Sequence, residues 1–105
     1  METQALWDEY YSATWTGGPQ GLGTVLDFAV RRHKPLAVSE WGLWGNNTAG
    51  DDPVYIRNMY QFFEQHANVL AYENYYDCGS LHELYPATLF PKASALYRQL
   101  WSAGQ

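Results

Sequence analysis

Glu40 is the residue whose type and position in the sequence most favour chemistry. It directly follows the run P-L-A-V-S at residues 35–39. Such a run predicts a strand that is buried on both faces, as in parallel sheets. Active sites of parallel α/β folds lie at the carboxyl ends of their strands, and a charge placed there needs a partner or a function. Glu40 is therefore a candidate catalytic carboxylate; a solvated glutamate at the end of a strand is the alternative.

Aromatic residues follow Glu40 in the sequence and also end the second predicted strand. They make up 17% of the chain, with nine Tyr and five Trp, which is more than a small core needs. Aromatic rings stack on the apolar faces of sugars, and the Tyr and Trp polar groups bond to hydroxyls. Trp41 and Trp44 follow Glu40, while Tyr75 and Tyr76 end a second apolar run. We consider these four rings candidate sugar-binding residues, with packing in a core as the alternative for each.

Helices and strands alternate around these residues. We predict, in chain order, a helix over residues 22–33, a strand over 35–40, a helix opened by Asp51-Asp52-Pro53, a strand over 69–76 and a helix from about 90 to 102. One of the two aspartates caps the second helix, and proline suits its first turn. Spacing of 3.6 residues predicts that the buried stripes of the three helices are Leu22, Val25, Leu26 and Ala29, then Ile56, Met59, Tyr60, Phe63 and Ala67, and finally Leu89, Ala93, Leu96, Leu100 and Trp101.

The whole chain of 105 residues has the length of a single domain. Residues 1–21 are predicted to be rich in loops, with a short helical turn around residues 6–11. Residues 22–105 carry the order α-β-α-β-α. This alternation indicates βα units with parallel strands, and hence an α/β fold.

Composition and charge exclude several classes of function. The net charge is −5 with only six basic residues, so we expect neither nucleic acid nor an anionic membrane as a partner. A single cysteine, Cys78, excludes a disulfide within the chain. The spacing of the three histidines matches no zinc motif, so no metal and no cofactor is expected. The first residues lack the basic and apolar regions of a signal peptide.

The segment K-P-L-A-V-S-E-W-G-L at residues 34–43 resembles the seventh-strand motif of clan A glycoside hydrolases, and most closely that of family 26, the β-mannanases and their relatives. The segment G-D-D-P-V-Y-I at residues 50–56 is similar to the start of the seventh helix in that family, and residues 69–77 are similar to the eighth strand. The likeness covers residues 22–77, about half of the chain. It implies the last two βα units of a (β/α)8 (TIM) barrel.

The resemblance also implies a role for Glu40, that of the nucleophile in a retaining glycosidase. The family acts on β-linked polysaccharides (mannan, glucan or cellulose-like chains) and is usually secreted. A retaining mechanism needs a second carboxyl group about 5–5.5 Å away as acid and base. In the family this group follows the fourth strand, whereas the chain resembles the part of the barrel after the sixth strand. Trp15 falls in what resembles the loop after the sixth strand, and it is a further candidate for sugar contact.

Glu73 and Asp77 are the candidates to replace that second carboxyl group. A period of two residues along the second strand puts Ala71, Glu73, Tyr75 and Asp77 on one face. If this face is turned toward the interior of the barrel, Glu73 or Asp77 approaches Glu40. The alternative for Glu73 is a structural pairing, since buried carboxylates are usually paired.

Two strands do not close a barrel, and both edges of such a sheet stay open. We therefore expect the partial barrel to be completed by self-association into a homo-oligomer. Three hypotheses for function follow. The chain is a retaining glycosidase, or it is a carbohydrate-binding module without catalysis, or it is an inactive truncation of a larger glycosidase.

Overall fold

The computed structural model describes residues 4–12, 14–15, 18–19, 21–43, 45, 50–85 and 87–103. The elements, in chain order, are helix α1 (Gln4–Tyr11), strands β1 (Thr14–Trp15) and β2 (Gly18–Pro19), helix α2 (Leu22–Arg31), strand β3 (Leu36–Trp41), helix α3 (Pro53–Gln65), strand β4 (Leu70–Tyr75), helix α4 (Gly79–His82) and helix α5 (Pro91–Ala103). The α-β-α-β-α order that we predicted after residue 21 is confirmed, with the one-turn α4 added. The helical turn expected near residues 6–11 is a full helix that begins at Gln4.

Strands β3 and β4 form a two-stranded parallel sheet, which confirms the predicted α/β class. The pairs in register are Leu36 with Leu70, Ala37 with Tyr72, Val38 with Glu73, and Trp41 with Tyr75. Each strand therefore contains one extra residue, Ala71 in β4 and either Ser39 or Glu40 in β3. The second irregularity decides on which face Glu40 lies, because an extra residue reverses the alternation of side chains beyond it.

Helix α2 begins after Gly21 and ends where the chain turns toward β3. Arg32 closes its last turn, and His33 has a φ of 54°, a left-handed conformation that stops the helix. Pro35 then favours extended backbone at Lys34. The predicted stripe is correct for Leu26 and Ala29, which are buried, but wrong for Val25, which is 46% exposed.

Two neighbouring aspartates begin two different helices. Asp52 is the N-cap of α3 and accepts a hydrogen bond from the backbone N–H of Tyr55 at 3.1 Å, as expected for one of the pair. Asp51 instead accepts from the backbone N–H groups of Lys92 (2.9 Å) and Ala93 (2.7 Å) in the first turn of α5. It thus joins the start of α3 to the start of α5.

The buried face of α3 is shifted relative to the predicted stripe, which did not include Asn58 or Phe62. Its buried residues are Ile56, Asn58, Met59, Phe62 and Phe63. Tyr60 is half-buried, and Ala67 lies beyond the end of the helix and is exposed. Helix α5 contributes the buried residues Ala93 and Ser94, and its partly buried apolar side chains pack on the same core.

Helices α3 and α5 cover one face of the sheet, and among the described residues no element covers the other face. Leu36 and Trp41 of β3 belong to the core formed with these helices, and Val38, Leu70 and Tyr75 pack against it. We call the opposite surface the open face; its exposed side chains are Ala37, Ser39, Glu40, Ala71, Tyr72 and Asn74. Over the part of the chain that the structure describes, no helix has the length and apolar character needed to cross a bilayer.

Candidate functional site

Glu40 lies on the open face, one residue before the end of β3, and its side chain is exposed. The register places Ser39 and Glu40 opposite Asn74 of β4, because the neighbouring pairs are Val38 with Glu73 and Trp41 with Tyr75. Tyr76 follows β4 at the same end of the sheet and is 41% exposed. One carboxylate, one amide and one phenol thus lie at the carboxyl ends of two parallel strands.

Tyr76 interacts with Cys78 and His82 of the following loop and with Glu40 of β3. The pKa of its phenol is raised, chiefly by its hydrogen bond to Cys78 and the electrostatic interaction with that residue, then by desolvation, and least by the negative charge of Glu40. Its ring also meets the His82 ring edge-on, with centroids 5.1 Å apart. Tyr76 therefore lies within electrostatic range of Glu40, as a residue lining the same site would.

Trp41 lies in the core, which corrects its assignment as a sugar-binding residue. It is only 6% exposed. Its ring stacks on Trp101 (centroids 5.7 Å apart) and meets Tyr75 (5.0 Å) and Phe63 (5.5 Å) edge-on. The extra residue in β3 reverses the alternation, so that Trp41 is turned toward the helices and Glu40 toward the open face.

Glu73 also lies on the helix-covered face, so the expectation that it approaches Glu40 is wrong. Its Oε1 accepts a hydrogen bond from the indole nitrogen of Trp41 at 2.7 Å, and its Oε2 accepts from that of Trp101 at 3.1 Å. Both carboxylate oxygens thus hold indoles in the core. The structural alternative that we set beside the catalytic one describes this geometry.

Tyr75 shares the helix-covered face, and its hydroxyl joins two loops. It donates to the carbonyl oxygen of His82 (2.6 Å) and accepts from the backbone N–H of Leu43 (3.1 Å). The His82 side chain contacts the Leu43 loop as well, since its Nδ1 lies 2.8 Å from the carbonyl oxygen of Leu43. Burial raises the pKa of the Tyr75 phenol to about 12, so the hydroxyl keeps its proton. Tyr75 shapes the loops beside Glu40 rather than presenting a free hydroxyl to a sugar.

Asp77 organises the loop after β4. Its Oδ1 accepts hydrogen bonds from the backbone N–H groups of Leu84 and Tyr85. It also lines a cavity of about 430 Å³ beside α5, together with Tyr85, Tyr97 and Arg98. This cavity includes Tyr75 and Trp101 in its wall and so lies on the helix side of the sheet. Asp77, like Glu73, is directed away from the open face.

Two candidate sugar-binding rings lie beyond what the structure describes. Trp44 lies outside the described residues. Trp15 has its backbone in β1, where it pairs with Gly18, but its side chain is outside the described part. Their assignment as sugar-binding residues stays a prediction.

Sequence reasoning missed Tyr72 and Asn74, which share the open face with Glu40. Tyr72 is 52% exposed, and Asn74 is the β4 residue opposite Glu40. The alternation in β4 offered two sets, 71-73-75-77 and 72-74-76, and we chose the one that holds the two carboxylates. The other set has the more exposed tyrosines, but nothing in the sequence marks it as the face without helices.

The site can supply one carboxylate, and it supplies no second one from the sheet. Glu40 is the one carboxylate of β3 and β4 on the open face, since Glu73 lies on the other face. Within the described residues, no group of three or more His, Cys, Asp or Glu side chains is placed to hold a metal ion. A nucleophile or a charge stabiliser is the chemistry this carboxylate offers; among the described residues of the sheet, no second carboxyl group lies beside it to donate a proton.

Comparisons of the chain with protein-family models, with curated proteins and with solved structures found no match. Any function assigned to the site therefore rests on its own geometry and on the resemblance of the motif around Glu40.

Proposed function

We propose that the chain is the C-terminal part of a (β/α)8-barrel glycoside hydrolase, and that Glu40 is the nucleophile with which it cleaves β-linked polysaccharide. One observation carries this proposal. Glu40 is exposed at the carboxyl end of a parallel strand, on the face opposite the helices. In a barrel the helices lie outside, so the open face is the one that would be turned inward, and the carboxyl ends of the strands form the active site.

The placement of the helices supports the barrel. Helix α3 connects β3 to β4, and α5 follows β4; both pack on the same face, as the contacts of Trp41 with Phe63 of α3 and with Trp101 of α5 require. Successive helices on one face are typical of a singly wound barrel, whereas a doubly wound sheet has helices on both faces. Parallel sheets are normally covered on both faces, so the open face also favours a larger assembly.

The proposed reaction has two steps. A carboxylate oxygen of Glu40 attacks the anomeric carbon and forms a glycosyl-enzyme ester, while the bond to the leaving oxygen breaks and that oxygen receives a proton from a second carboxylic acid. The resulting carboxylate then removes a proton from water, which releases the sugar with its configuration retained. Because Glu73 and Asp77 are directed to the helix side, we propose that the acid comes from polypeptide that completes the barrel, such as a second copy of the chain.

Activity of the full chain on mannan, glucan and xylan tests the proposal. We expect release of reducing ends by the protein, and its abolition in Glu40→Gln with unchanged circular dichroism. Glu64→Gln is the matched control, since Glu64 is an exposed glutamate of α3 on the far side of the sheet. Activity retained by Glu40→Gln would exclude Glu40 as the nucleophile, and inversion of the product anomer would exclude the mechanism.

Self-association has a direct test of its own. We expect light scattering coupled to size-exclusion chromatography to give the mass of a dimer or a larger oligomer of the 12.0 kDa chain. Substitution Tyr72→Lys on the open face should shift the population toward monomer by placing a charge in the covered surface. A clean monomer that still hydrolyses polysaccharide would contradict completion by a second copy.

A second candidate, a glycan-binding surface without catalysis, is favoured by a specific observation. The open face has two exposed rings, Tyr72 (52%) and Tyr76 (41%), and a single carboxylate. Affinity electrophoresis on mannan, xylan and glucan separates the candidates. If binding is the whole function, retardation is lost in Tyr72→Ala and Tyr76→Ala and kept in Glu40→Gln, and no reducing ends appear.

A further inference from the structure

A polar cavity lies between helices α1 and α3, away from the open face. Its volume is about 280 Å³. Helix α1 contributes Trp7, Asp8 and Tyr11 to its wall, and α3 contributes side-chain amides, those of Asn58, Gln61 and Gln65. The cavity is therefore lined by hydrogen-bonding groups and by three aromatic rings, those of Trp7, Tyr11 and Phe62, at a junction where two helices would ordinarily exclude solvent with apolar side chains.

Asn58 is the feature that distinguishes this cavity from an ordinary gap. It is 5% exposed, and its Nδ2 has no hydrogen-bond partner among the described residues. Buried polar groups are almost always paired, because an unpaired donor gives up its bonds to water without replacement. The other buried residues of α3 are apolar, so packing alone would be better served by leucine here. An unpaired amide in the wall of a cavity indicates that its partner is a ligand.

The lining decides the chemistry of that ligand. Side-chain amides both donate and accept hydrogen bonds, and so match hydroxyl groups, which do the same. Asp8 adds an acceptor and is held in place by Gln4, whose Nε2 donates to its Oδ1 at 3.1 Å. The described residues of the lining include no lysine, arginine or histidine, which disfavours phosphate or carboxylate ligands. Trp7 and Tyr11 provide aromatic surface for the apolar face of a ring.

The aromatic wall is held rigidly before any ligand binds. Tyr11 meets Phe62 of α3 edge-on, with centroids 6.2 Å apart. The ring also packs directly on Gly23 of α2, where an added Cβ would lie 2.3 Å from it. Tyr11 is therefore fixed between two helices. A wall that is already in place reduces the ordering that binding would require.

We infer that the cavity between α1 and α3 binds a single neutral sugar ring, with Asn58 donating to a ring hydroxyl and Trp7 or Tyr11 covering an apolar face. Its volume lies just below the roughly 300–1,000 Å³ of pockets for drug-sized ligands, which suits one pyranose rather than a longer chain. The site is independent of Glu40, which is on the open face of the sheet. It is a second carbohydrate site whether or not the first one is catalytic.

Titration of the full chain with methyl β-D-mannopyranoside and methyl β-D-glucopyranoside, followed by proton–nitrogen NMR, tests the inference. We expect saturable shifts of the side-chain amide signals of Asn58 and Gln61 at millimolar sugar, and none with inorganic phosphate. Asn58→Leu, which has nearly the same shape, removes the Asn58 signal itself; it should abolish the shift of the Gln61 signal and leave the melting temperature equal or higher. Gln61→Ala, an exposed substitution, should weaken binding several-fold without loss of fold.

Two controls make each outcome decisive. Gln99→Ala removes an exposed glutamine of α5 that does not line the cavity, and Glu40→Gln changes only the open face; both should bind like the unaltered chain. Loss of the shifts in Glu40→Gln would place the sugar at the open face and overturn the inference. A lower melting temperature in Asn58→Leu would show that the amide has a structural partner, and unchanged binding in that variant would equally overturn it.

Discussion

The indole nitrogen of Trp41 in β3 donates a 2.7 Å hydrogen bond to Oε1 of Glu73 in β4. The Glu73 carboxylate is therefore held on the helix-covered face of the sheet. Trp101 of α5 donates to the other oxygen. The carboxylate thus joins both strands to the last helix. Its two charge-assisted hydrogen bonds offset the cost of removing it partly from water, and this explains how a glutamate is accommodated beside the rings of Trp41 and Trp101.

Replacement of Glu73 tests this relationship. We expect Glu73→Gln to lower the free energy of unfolding by about 2 kcal/mol, because the amide has one acceptor oxygen where two indoles need one each. Urea denaturation followed by tryptophan fluorescence measures the change. Glu64→Gln, on the exposed surface of α3, should stay within about 0.5 kcal/mol of the unaltered chain. Equal stabilities for the two variants would show that the indoles do not depend on this carboxylate.

Removal of the Tyr75 hydroxyl tests the connection between the two loops. Tyr75→Phe deletes the bond to His82 and leaves the backbone N–H of Leu43 without its partner. We expect a loss of about 1–3 kcal/mol, the cost of an unsatisfied buried group. The neighbouring Tyr76→Phe removes an exposed hydroxyl and should change stability far less. If hydrogen exchange at Leu43 is as slow in Tyr75→Phe as before, the hydroxyl does not hold this loop.

Asp51 gives a prediction that concerns residues about forty positions away. Asp51→Ala leaves the N–H groups of Lys92 and Ala93 without acceptors, and we expect it to cost about 1–2 kcal/mol, as for the loss of a helix cap. Hydrogen exchange should accelerate in the first turn of α5. Asp52→Ala should have its effect in the first turn of α3 instead. The same pattern of exchange in both variants would contradict the separate roles.

Tyr55 predicts how stability changes in alkali. Burial, then the neighbouring Tyr75, raises the pKa of its phenol to about 12, against about 10 in the unfolded chain. The folded state therefore holds this proton more tightly, so its contribution is fully present below pH 10 and is lost as the pH rises from 10 through 12. A shift of about two units corresponds to about 2–3 kcal/mol over that range.

The substitution Tyr55→Phe removes this titration. We expect the free energy of unfolding of Tyr55→Phe to fall less steeply between pH 10 and 12 than that of the unaltered chain, in urea melts at successive pH values. Tyr75, whose pKa is also raised to about 12, acts in the same direction but is less buried, so solvent reduces its share. Parallel curves for the two proteins would rule out Tyr55 as a source of alkaline instability.

Local patterns were enough to predict the elements of this fold. The apolar spacing in α2 and α3, the cap at Asp52, the proline that follows it and the break at Pro35 all act within about four residues along the chain. The alternation of strands and helices then indicated parallel pairing, which the sheet has. The position of Glu40 near the carboxyl end of β3 follows from the same local reasoning.

Which side chain lies on which face was decided by the tertiary structure alone. An extra residue in β3 reverses the alternation of side chains, so that Glu40 lies on the open face and Trp41 in the core, and the pairing with β4 places Glu73 on the helix-covered face. The energy that fixes this register comes from contacts such as that of Trp41 with Glu73, 32 positions apart. Alternation of side chains is a local rule, but a shift of one residue inverts it, and no interaction within a single strand determines whether the shift occurs. The sequence by itself therefore determined the helices, the strands and the strand that ends in Glu40, while only packing against α3 and α5 decided that Glu40 is exposed and Glu73 is not.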